Sequence, residues 1–268
     1  MDKGFHWLDT LVVLAYFLGI TGYGIWLTRR VKSSDSYFRG SRKFNKWIMM
    51  AQGFGAGTHA ENFVAQTGAS FQLGFASIWY QWKNMVITPF YWLIAPWYRR
   101  SERTTVGEIV EDRYGKGMGI FYSVFAILFF IFAQGAMLKG AGKVIAVATS
   151  NLISPDGVII GMTIAFIVYS FFGGLVSSAY ATFIQSLMII VLSVMLIPMG
   201  LGEVGGFAGM RETLPENFFN LFSAETGIGA FTILMLALNG VVGITAQPHM
   251  VSMCATGATE RAGRIGQT

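Results

Sequence analysis

Residues 53–75 read "GFGAGTHAENFVAQTGASFQLGF" and follow the apolar residues 47–50 after Ala51 and Gln52. Glycine costs a helix about 1 kcal/mol relative to alanine, so a regular helix is unfavourable where Gly53, Gly55 and Gly57 alternate with other residues. Polar side chains follow these glycines at once: Thr58, His59, Glu61, Asn62 and Gln66. The stretch therefore predicts an interrupted helix with polar groups at the interruption.

Composition places this stretch inside a membrane protein. Of the 268 residues, 53% are hydrophobic and 12% are charged, and the mean hydropathy is +0.53. Soluble domains carry roughly 25% charged residues, so most of this surface cannot face water. Unwound backbone at membrane depth is tolerated only where protein buries it or where it lines a watery cavity. We therefore expect the interruption to lie at such a place.

Seven apolar segments are about as long as a bilayer requires. We predict one transmembrane domain, 1–268, with spans near 8–28, 46–72, 77–97, 119–148, 157–173, 181–201 and 229–254, the second and last being interrupted. The first segment ends at Arg29 and Arg30 rather than at a small-residue cleavage site. It is therefore predicted to stay in the protein as a helix and not to be a signal peptide.

The basic residues predict the orientation of these spans. Fourteen of the 19 Lys and Arg residues follow the first, third and seventh spans. Positive residues collect on the cytoplasmic side, so we predict a multi-pass protein of the inner (cytoplasmic) membrane with its N-terminus outside and Thr268 inside. This topology and anionic lipid headgroups account for the net charge of +5, so no nucleic-acid partner is expected.

No group of residues in the sequence indicates an enzyme. Cys254 is the only cysteine, and His6, His59 and His249 are too widely spaced for a metal-binding motif. Residues 140–143, Gly-Ala-Gly-Lys, lack the first Gly and the final Ser or Thr of a phosphate-binding loop. We therefore expect no catalytic residues.

A second apolar segment, "LNGVVGITAQPH" at 238–249, is also interrupted by Gly240, Gly243 and Pro248. The two interruptions begin successive sets of five spans, and the predicted topology makes them antiparallel. Inverted repeats with discontinuous helices at equivalent positions are typical of secondary transporters, which bind their solute near the bilayer midplane. The residues alone leave two alternatives open, close helix packing through Gly53-x-x-x-Gly57 and a simple kink.

Further motifs accompany the two interruptions over about 8–262. They are 57–63 with Gly68 and Gly74, Tyr80-Gln81-Trp82, 105–108 with Arg113-Tyr114, Gly173-Gly174-Leu175 with Ile184-Gln185, and Gln247-Pro248-His249. In this order they resemble the sodium:solute symporter family, which includes the bacterial sodium–galactose, proline, pantothenate and sialic acid transporters. The resemblance implies an all-α membrane fold, the N-terminal portion of a LeuT-like inverted repeat, with an extra N-terminal helix before core helices one to six.

The resemblance also implies a site. The backbone carbonyls of Gly55 and Thr58 would help to bind a sodium ion. Substrate contacts would come from Asn62, Gln81, Asn84 and Asn239. Gln81 and Asn84 lie one turn apart on one helix face, which favours a shared cavity.

Charged groups within the spans are treated as functional hypotheses. Glu61, Lys83 and Lys139 are candidates to contact the charge of a solute or to line the vestibule. For Lys139 the alternative is that the side chain extends to the membrane interface, as long basic side chains near helix ends often do.

The chain departs from the family pattern at three places. Ala181-Thr182 replaces the usual Thr-Asp before Gln185, which removes a carboxylate linked to a second sodium site. Gln81 replaces a Glu of the galactose transporter, so sugar recognition is not implied. The match ends after the sixth core helix, whereas family members continue through at least four more, so we expect a chain truncated relative to family length.

These features predict sodium-coupled symport of a small polar solute across the cytoplasmic membrane by alternating access. The expected partners are the solute, the sodium ion and the lipid bilayer. Three other hypotheses remain: a membrane sensor or regulatory module built on the same helices, a structural polytopic subunit, and a transport-incompetent fragment.

Overall fold

The structure, a computed structural model, describes residues 7–29, 31, 33–222 and 227–266. The predicted locations of the two chain ends concern residues outside these ranges. The α-helices are α1 (Trp7–Thr28), α2 (Ser34–Arg39), α3 (Lys46–Gly57), α4 (Ala60–Leu73), α5 (Trp79–Arg100), α6 (Val106–Tyr114), α7 (Lys116–Ala148), α8 (Pro155–Glu203), α9 (Gly206–Thr213), α10 (Ala230–Ala246), α11 (Met250–Ala255) and α12 (Glu260–Gly266). The all-α fold class predicted from the sequence is confirmed.

Three stretches of helix in the described residues are long and apolar enough to cross a bilayer, namely Trp7–Leu27, Lys116–Ala148 and Gly173–Glu203. Pro155–Val168 and Ala230–Ala246 are apolar but shorter. Helices also occupy the other predicted spans, but α5 is less apolar and the second span is divided between α3 and α4. That all seven segments cross the membrane remains a prediction.

Helix α8 covers the segments predicted as separate spans near 157–173 and 181–201, and it has a kink with non-helical backbone at Gly174 between them. Gly174 has φ 55° and ψ −148°, a conformation that a residue with a side chain rarely adopts. The Tyr37 hydroxyl donates hydrogen bonds to the carbonyls of Ser170 and Phe171 just before this bend. A Cβ at Gly174 would lie 2.7 Å from Tyr37 atoms, so glycine permits both the bend and the close approach of α2.

Two clusters of buried side chains hold the helices together. One joins α5, α10 and α11 and includes Ile87, Tyr98 and Ile244. The other joins α3 to the second half of α8 and includes Met49 and Val176. The helices that carry the two interruptions are therefore each packed against a long neighbouring helix.

Arginines surround the end of the bundle where α3 begins and α5 ends, here called the arginine-rich end. The Phe44 amide donates to the Thr256 carbonyl at 3.3 Å, and the Ala258 amide donates back to the Phe44 carbonyl at 2.8 Å. The Arg99 guanidinium donates to the carbonyls of Ala255 and Ala258. These contacts fix the segment after α11 against the start of α3 and the end of α5.

The opposite end is covered by the short helix Glu216–Phe219. Gly74 has φ 61°, and a Cβ there would lie 2.5 Å from the Phe218 carbonyl oxygen. The Trp79 indole donates to the Leu221 carbonyl at 2.9 Å. The segment before α10 thus lies against the junction between α4 and α5.

Candidate functional site

The first interruption consists of Thr58 and His59, which are extended between α3 and α4. Three of its freed carbonyls are bonded from within the same segment. The Thr58 amide donates to the Gly55 carbonyl at 3.4 Å, and the Thr58 hydroxyl donates to the Phe54 carbonyl at 2.8 Å. The Asn62 amide nitrogen donates to the Gly57 carbonyl at 3.1 Å. Two of the predicted site residues, Thr58 and Asn62, therefore cap the broken helix.

Helix α8 holds the first interruption on one side. A Cβ at Gly55 would lie 2.2 Å from the Thr182 methyl carbon and 3.3 Å from the Ser186 hydroxyl oxygen. That hydroxyl donates to the Ala51 carbonyl at 3.0 Å and is buried. Glycine at 55 is thus what allows α3 to approach α8 closely, with two hydroxyl groups beside the predicted sodium ligand.

Helix α7 holds the first interruption on the other side. A Cβ at Gly140 would lie 2.6 Å from the Glu61 Cβ, so the two helices touch there. The Glu61 Oε2 atom is buried, and within the described residues it has no hydrogen-bond partner. A carboxylate oxygen withdrawn from water and left without a donor is costly, which makes Glu61 a candidate for contact with a cation or a donor group.

The second interruption consists of Gln247, Pro248 and His249 between α10 and α11. Proline disfavours helical geometry in the residue before it, and Gln247 is accordingly extended. Tyrosines of other helices satisfy the freed carbonyls: the Tyr98 hydroxyl donates to Thr245 at 2.9 Å, and the Tyr122 hydroxyl donates to Ala246. The end of α10 is therefore fastened to α5 and α7.

Helix α7 contacts both interruptions. Its Gly140 touches Glu61, which follows the first, and its Tyr122 hydroxyl donates to Ala246, which precedes the second. The Phe130 ring of α7 lies beside His249, with 6.2 Å between ring centroids. The sequence indicated two broken helices but not that one neighbouring helix would hold both.

Three predicted solute contacts lie on the facing helices α5 and α10. Gly240 packs against Ile87, since a Cβ there would lie 2.0 Å from the Ile87 terminal methyl carbon. Asn84 lies one turn before Ile87, whereas Asn239 precedes Gly240 and so points about 100° away from this contact. The side chains of Gln81, Asn84 and Asn239 are all exposed.

The two candidate lysines differ in their surroundings. Lys139 of α7 is exposed, and it directly precedes Gly140, the residue in contact with Glu61. Lys83 of α5 is half-buried and adjoins Asn84. Within the described residues, neither lysine forms an ion pair with a carboxylate.

Sequence reasoning did not identify Tyr98 or Tyr122. Both lie on the arginine-rich side of their helices, where a tyrosine is usually interpreted as an interfacial anchor. Their partners Thr245 and Ala246 are more than a hundred positions away in the sequence. Pro248 indicated that α10 would end with carbonyls in need of donors, and only a search for hydroxyl groups on other helices could have suggested these tyrosines.

The donor set at the first interruption consists of oxygen atoms. Carbonyl and hydroxyl oxygens suit hard cations, whereas softer metals prefer imidazole and thiolate ligands. Groups of three or more His, Cys, Asp or Glu side chains able to hold a metal are absent from the described residues. The chemistry of the site thus fits a small monovalent cation held by main-chain and hydroxyl oxygens.

Comparison with known proteins agrees with this geometry. The model of the sodium:solute symporter family matches residues 37–267. The sodium/glucose cotransporter of Vibrio parahaemolyticus is 27% identical over 232 residues, which cover 81% of this chain and 42% of the relative. Sodium/glucose cotransporter 1 of Oryctolagus cuniculus is 26% identical, over 84% of this chain and 34% of the relative.

A solved structure has the same fold. It shows a Na⁺-coupled sialic acid symporter in a substrate-bound outward-open state, and it superimposes with a TM-score of 0.84 at 19% identity. The match covers 99% of this chain and 56% of that chain. This chain therefore spans roughly a third to just over half the length of the relatives it matches.

Proposed function

Because the chain belongs to the sodium:solute symporter family, we propose that it takes part in sodium-coupled symport of a small polar solute by alternating access. The observation that carries this proposal is that two broken helices are held by the same neighbouring helix, α7, at Glu61 and at Ala246. Broken helices expose main-chain groups at membrane depth, where an ion and a solute can replace water as their partners.

The sodium ion is proposed to bind at the first interruption, on the carbonyl oxygens of Gly55 and Thr58. The Gly55 carbonyl now accepts only a long hydrogen bond of 3.4 Å from the Thr58 amide, so an ion can compete for it. Two carbonyls are too few for sodium, and other oxygens must complete the shell. Thr182 stands where many family members have a carboxylate, so we propose a single ion at this break.

The solute is proposed to bind between α4, α5 and α10, on Asn62, Gln81, Asn84 and Asn239. Amide side chains offer both donors and acceptors, which suits a solute rich in hydroxyl groups. The Asn62 side chain already donates one N–H to the Gly57 carbonyl, which leaves its side-chain oxygen to accept from the solute. Glu61, Lys83 and Lys139 are the candidates for any charge that the solute carries.

Sodium can favour one orientation of the transporter only through its different affinity for the two states. We propose that the ion fastens the first interruption to a neighbouring helix and so favours the state that accepts solute from outside. The N-terminus is proposed to lie outside the cytoplasmic membrane, with the arginine-rich end in the cytoplasm.

Uptake into proteoliposomes tests the proposal. Glucose, sialic acid, amino acids and organic acids, each radiolabelled, would be offered to the reconstituted protein with an inward sodium gradient or an equal potassium gradient. We expect one class of solute to accumulate only with sodium. Accumulation that is indifferent to the sodium gradient, for a solute that the protein does carry, would exclude symport by this ion.

Paired variants test the solute residues. Asn239→Ala removes an amide from the proposed site, and Gln72→Ala removes an exposed amide of α4 away from it. We expect Asn239→Ala to raise the KM for solute about tenfold, the factor that corresponds to one hydrogen bond. Gln72→Ala should leave KM unchanged. Equal KM values for the two variants would remove Asn239 from the site.

The charge of the solute is tested separately. If Lys83 or Lys139 faces an anionic solute, Lys83→Met or Lys139→Met should reduce uptake of organic acids more than uptake of neutral sugars. An unchanged preference in both variants would contradict a role for either lysine in recognition.

A further inference from the structure

A narrow cleft at the arginine-rich end has no role in the transport site described above. It lies between the α2–α3 segment, the α5–α6 loop and α11, and its internal space of about 10 Å³ has room for about one water molecule or one oxygen atom of a bound anion. Its lining, here called the arginine cleft, consists of Phe38, Arg39, Arg42, Arg103, Thr104, Val251, Ala255 and Thr256. Three arginine side chains therefore border one small space.

The three arginines differ in how close a carboxylate lies to each guanidinium group. Arg103 pairs with Asp112 at 2.7 Å. Arg39 donates to the Thr104 hydroxyl at 2.8 Å, and Asp35 is 3.9 Å away. Arg42 is the most buried of the three, with 21% of its side chain exposed, and Glu102 is 4.0 Å away and 80% exposed. Exposed pairs at that distance contribute little, so Arg42 brings an almost uncompensated positive charge to the cleft.

The backbone that presents Arg42 is strained. Gly40, Ser41 and Arg42 have φ values of 57°, 51° and 50°. Residues with a side chain are rare in this left-handed region, which costs each of them about 1–2 kcal/mol. Two such residues in succession require compensation from their surroundings. Stabilisation of the Arg42 guanidinium by an anion in the cleft would provide it.

We infer that the arginine cleft is a binding site for a phosphate group, supplied by an anionic lipid headgroup or by a free phosphate. Guanidinium groups bind phosphate oxygens through two parallel hydrogen bonds, and three of them here share one opening. Phe38 lines the cleft and is 61% exposed, as expected for an aromatic residue beside acyl chains. Anionic lipids are enriched at the cytoplasmic surface, where the positive-inside rule places these arginines.

The site joins two parts of the chain that lie far apart in the sequence. Arg39 and Arg42 precede α3, whereas Val251, Ala255 and Thr256 follow the second interruption. A phosphate in the cleft therefore ties the segment after α11 to the segment before α3. Its binding strengthens the closure already made by Phe44 and Arg99 at this end.

Titration of the purified protein in neutral detergent tests the site. The probes are dihexanoyl phosphatidylglycerol, dihexanoyl phosphatidylcholine and inorganic phosphate, and the readout is the dissociation constant from the shift in thermal unfolding. We expect phosphatidylglycerol to bind more tightly than phosphatidylcholine. Saturation by inorganic phosphate as well would identify a general phosphate site, and its failure to bind would identify a lipid headgroup site.

Variants separate this site from general attraction to a basic surface. Arg42→Gln should weaken binding of phosphatidylglycerol about tenfold, as expected for the loss of one charge-assisted interaction. Arg113→Gln makes the same change at an exposed position of α6 outside the cleft and should leave binding unaltered. Equal effects of the two variants, or no effect of either, would overturn the proposal.

A third variant guards against misfolding of Arg42→Gln. Arg42→Lys keeps the charge but lacks the planar fork, so binding weaker than that of the wild type is expected. Wild-type affinity in Arg42→Lys would contradict two-point recognition by the guanidinium. The readout is binding, so it is independent of whether the protein carries a solute.

Discussion

The carbonyl groups freed at the two interruptions accept hydrogen bonds from different kinds of donor. The first is capped by its own segment, because Thr58 and Asn62 donate to carbonyls no more than five residues away. The second is capped from outside, because Tyr98 and Tyr122 reach across from α5 and α7. A freed carbonyl at the first break can exchange its hydrogen-bond donor by a local rotation. A carbonyl at the second break loses its donor only if α10 separates from α5 or α7.

This difference suits the two breaks to different steps of the proposed transport cycle. The proposed ion at the first break would bind and leave with small movements of one short segment. The second break changes its capping only when α5 or α7 moves relative to α10. The proposed cycle would therefore place its ion-binding step and its rigid-body step in different parts of the site.

The largest expected effect concerns the packing of the first break. Gly55→Ala places a methyl group 2.2 Å from the Thr182 methyl carbon, so α3 or Thr182 must shift. We expect a loss of about 1–3 kcal/mol in the free energy of unfolding, as for other overpacked sites, together with loss of sodium-driven uptake. Chemical denaturation in micelles and uptake assays measure the two effects.

Gly57→Ala is the matched control for that variant. Open space surrounds Gly57, with no described atom within 4 Å of an added Cβ, so the substitution should be neutral or slightly stabilising. If Gly55→Ala and Gly57→Ala were equally harmful, backbone freedom rather than contact with α8 would explain the glycines.

The next effect concerns the caps of the second break. Tyr98→Phe and Tyr122→Phe each remove a donor from a carbonyl at the end of α10 and should each cost about 1–2 kcal/mol in the free energy of unfolding. Tyr114→Phe, at an exposed position of α6, should cost nothing measurable. Tyr98→Phe as stable as the wild type would mean that the second break does not depend on its neighbours.

A smaller effect is expected from the local cap of the first break. Asn62→Ala removes the donor to Gly57 and should cost about 1 kcal/mol, as the loss of other helix caps does. Saturating sodium should reduce this loss, because an ion at the break offsets the exposed carbonyl charge. The comparison is made by unfolding in sodium and in potassium. A loss that is identical in both salts would separate Asn62 from the ion.

The smallest effect concerns the segment after the second break. Arg100 donates two hydrogen bonds to Glu260 and thereby holds the pKa of this carboxyl below its usual value of 4.5. A lowered pKa in the folded state stabilises the protein above pH 4.5, and this contribution is lost as the pH falls through the lowered pKa. Both side chains face solvent, so the loss is small and weakens with salt.

The pH dependence is measured as the unfolding temperature between pH 7 and pH 3. Glu260→Gln removes the titrating group and should show a shallower decline than the wild type over the acid part of this range. Parallel curves for the two proteins would mean that the ion pair does not contribute to the closure at the arginine-rich end.

Local chemistry made some of this structure predictable. Three glycines near residue 57 and Pro248 predicted where helices would break, because their effects on backbone energy need no distant partner. The spans near 157–173 and 181–201 were predicted as separate, and the backbone of α8 is non-helical at Gly174 between them. The sequence could not show that Tyr37, far away along the chain, donates to the carbonyls just before this kink.

The candidate site was also predictable only in part. Polar residues of the first break could be named from the sequence, but their present partners could not. Asn62 was assigned to a solute, and the structure shows one of its N–H groups on Gly57. Glu61 was predicted as a membrane-embedded charge, yet its contact with Gly140 follows only from the approach of α7. The roles of the predicted site residues in transport stay predictions.

Because α8 bends at Gly174, a small rotation there displaces the far part of the helix by a larger distance. Between Gly174 and Ser186 the helix rises about 18 Å, at about 1.5 Å per residue. A turn of only about 5° at that single glycine would therefore carry Ser186 sideways by about 1.6 Å over this length of helix. Ser186 is bonded to the Ala51 carbonyl and lies beside Gly55. The backbone angle at one glycine remote from the first break thus sets the position of the helix that packs against it.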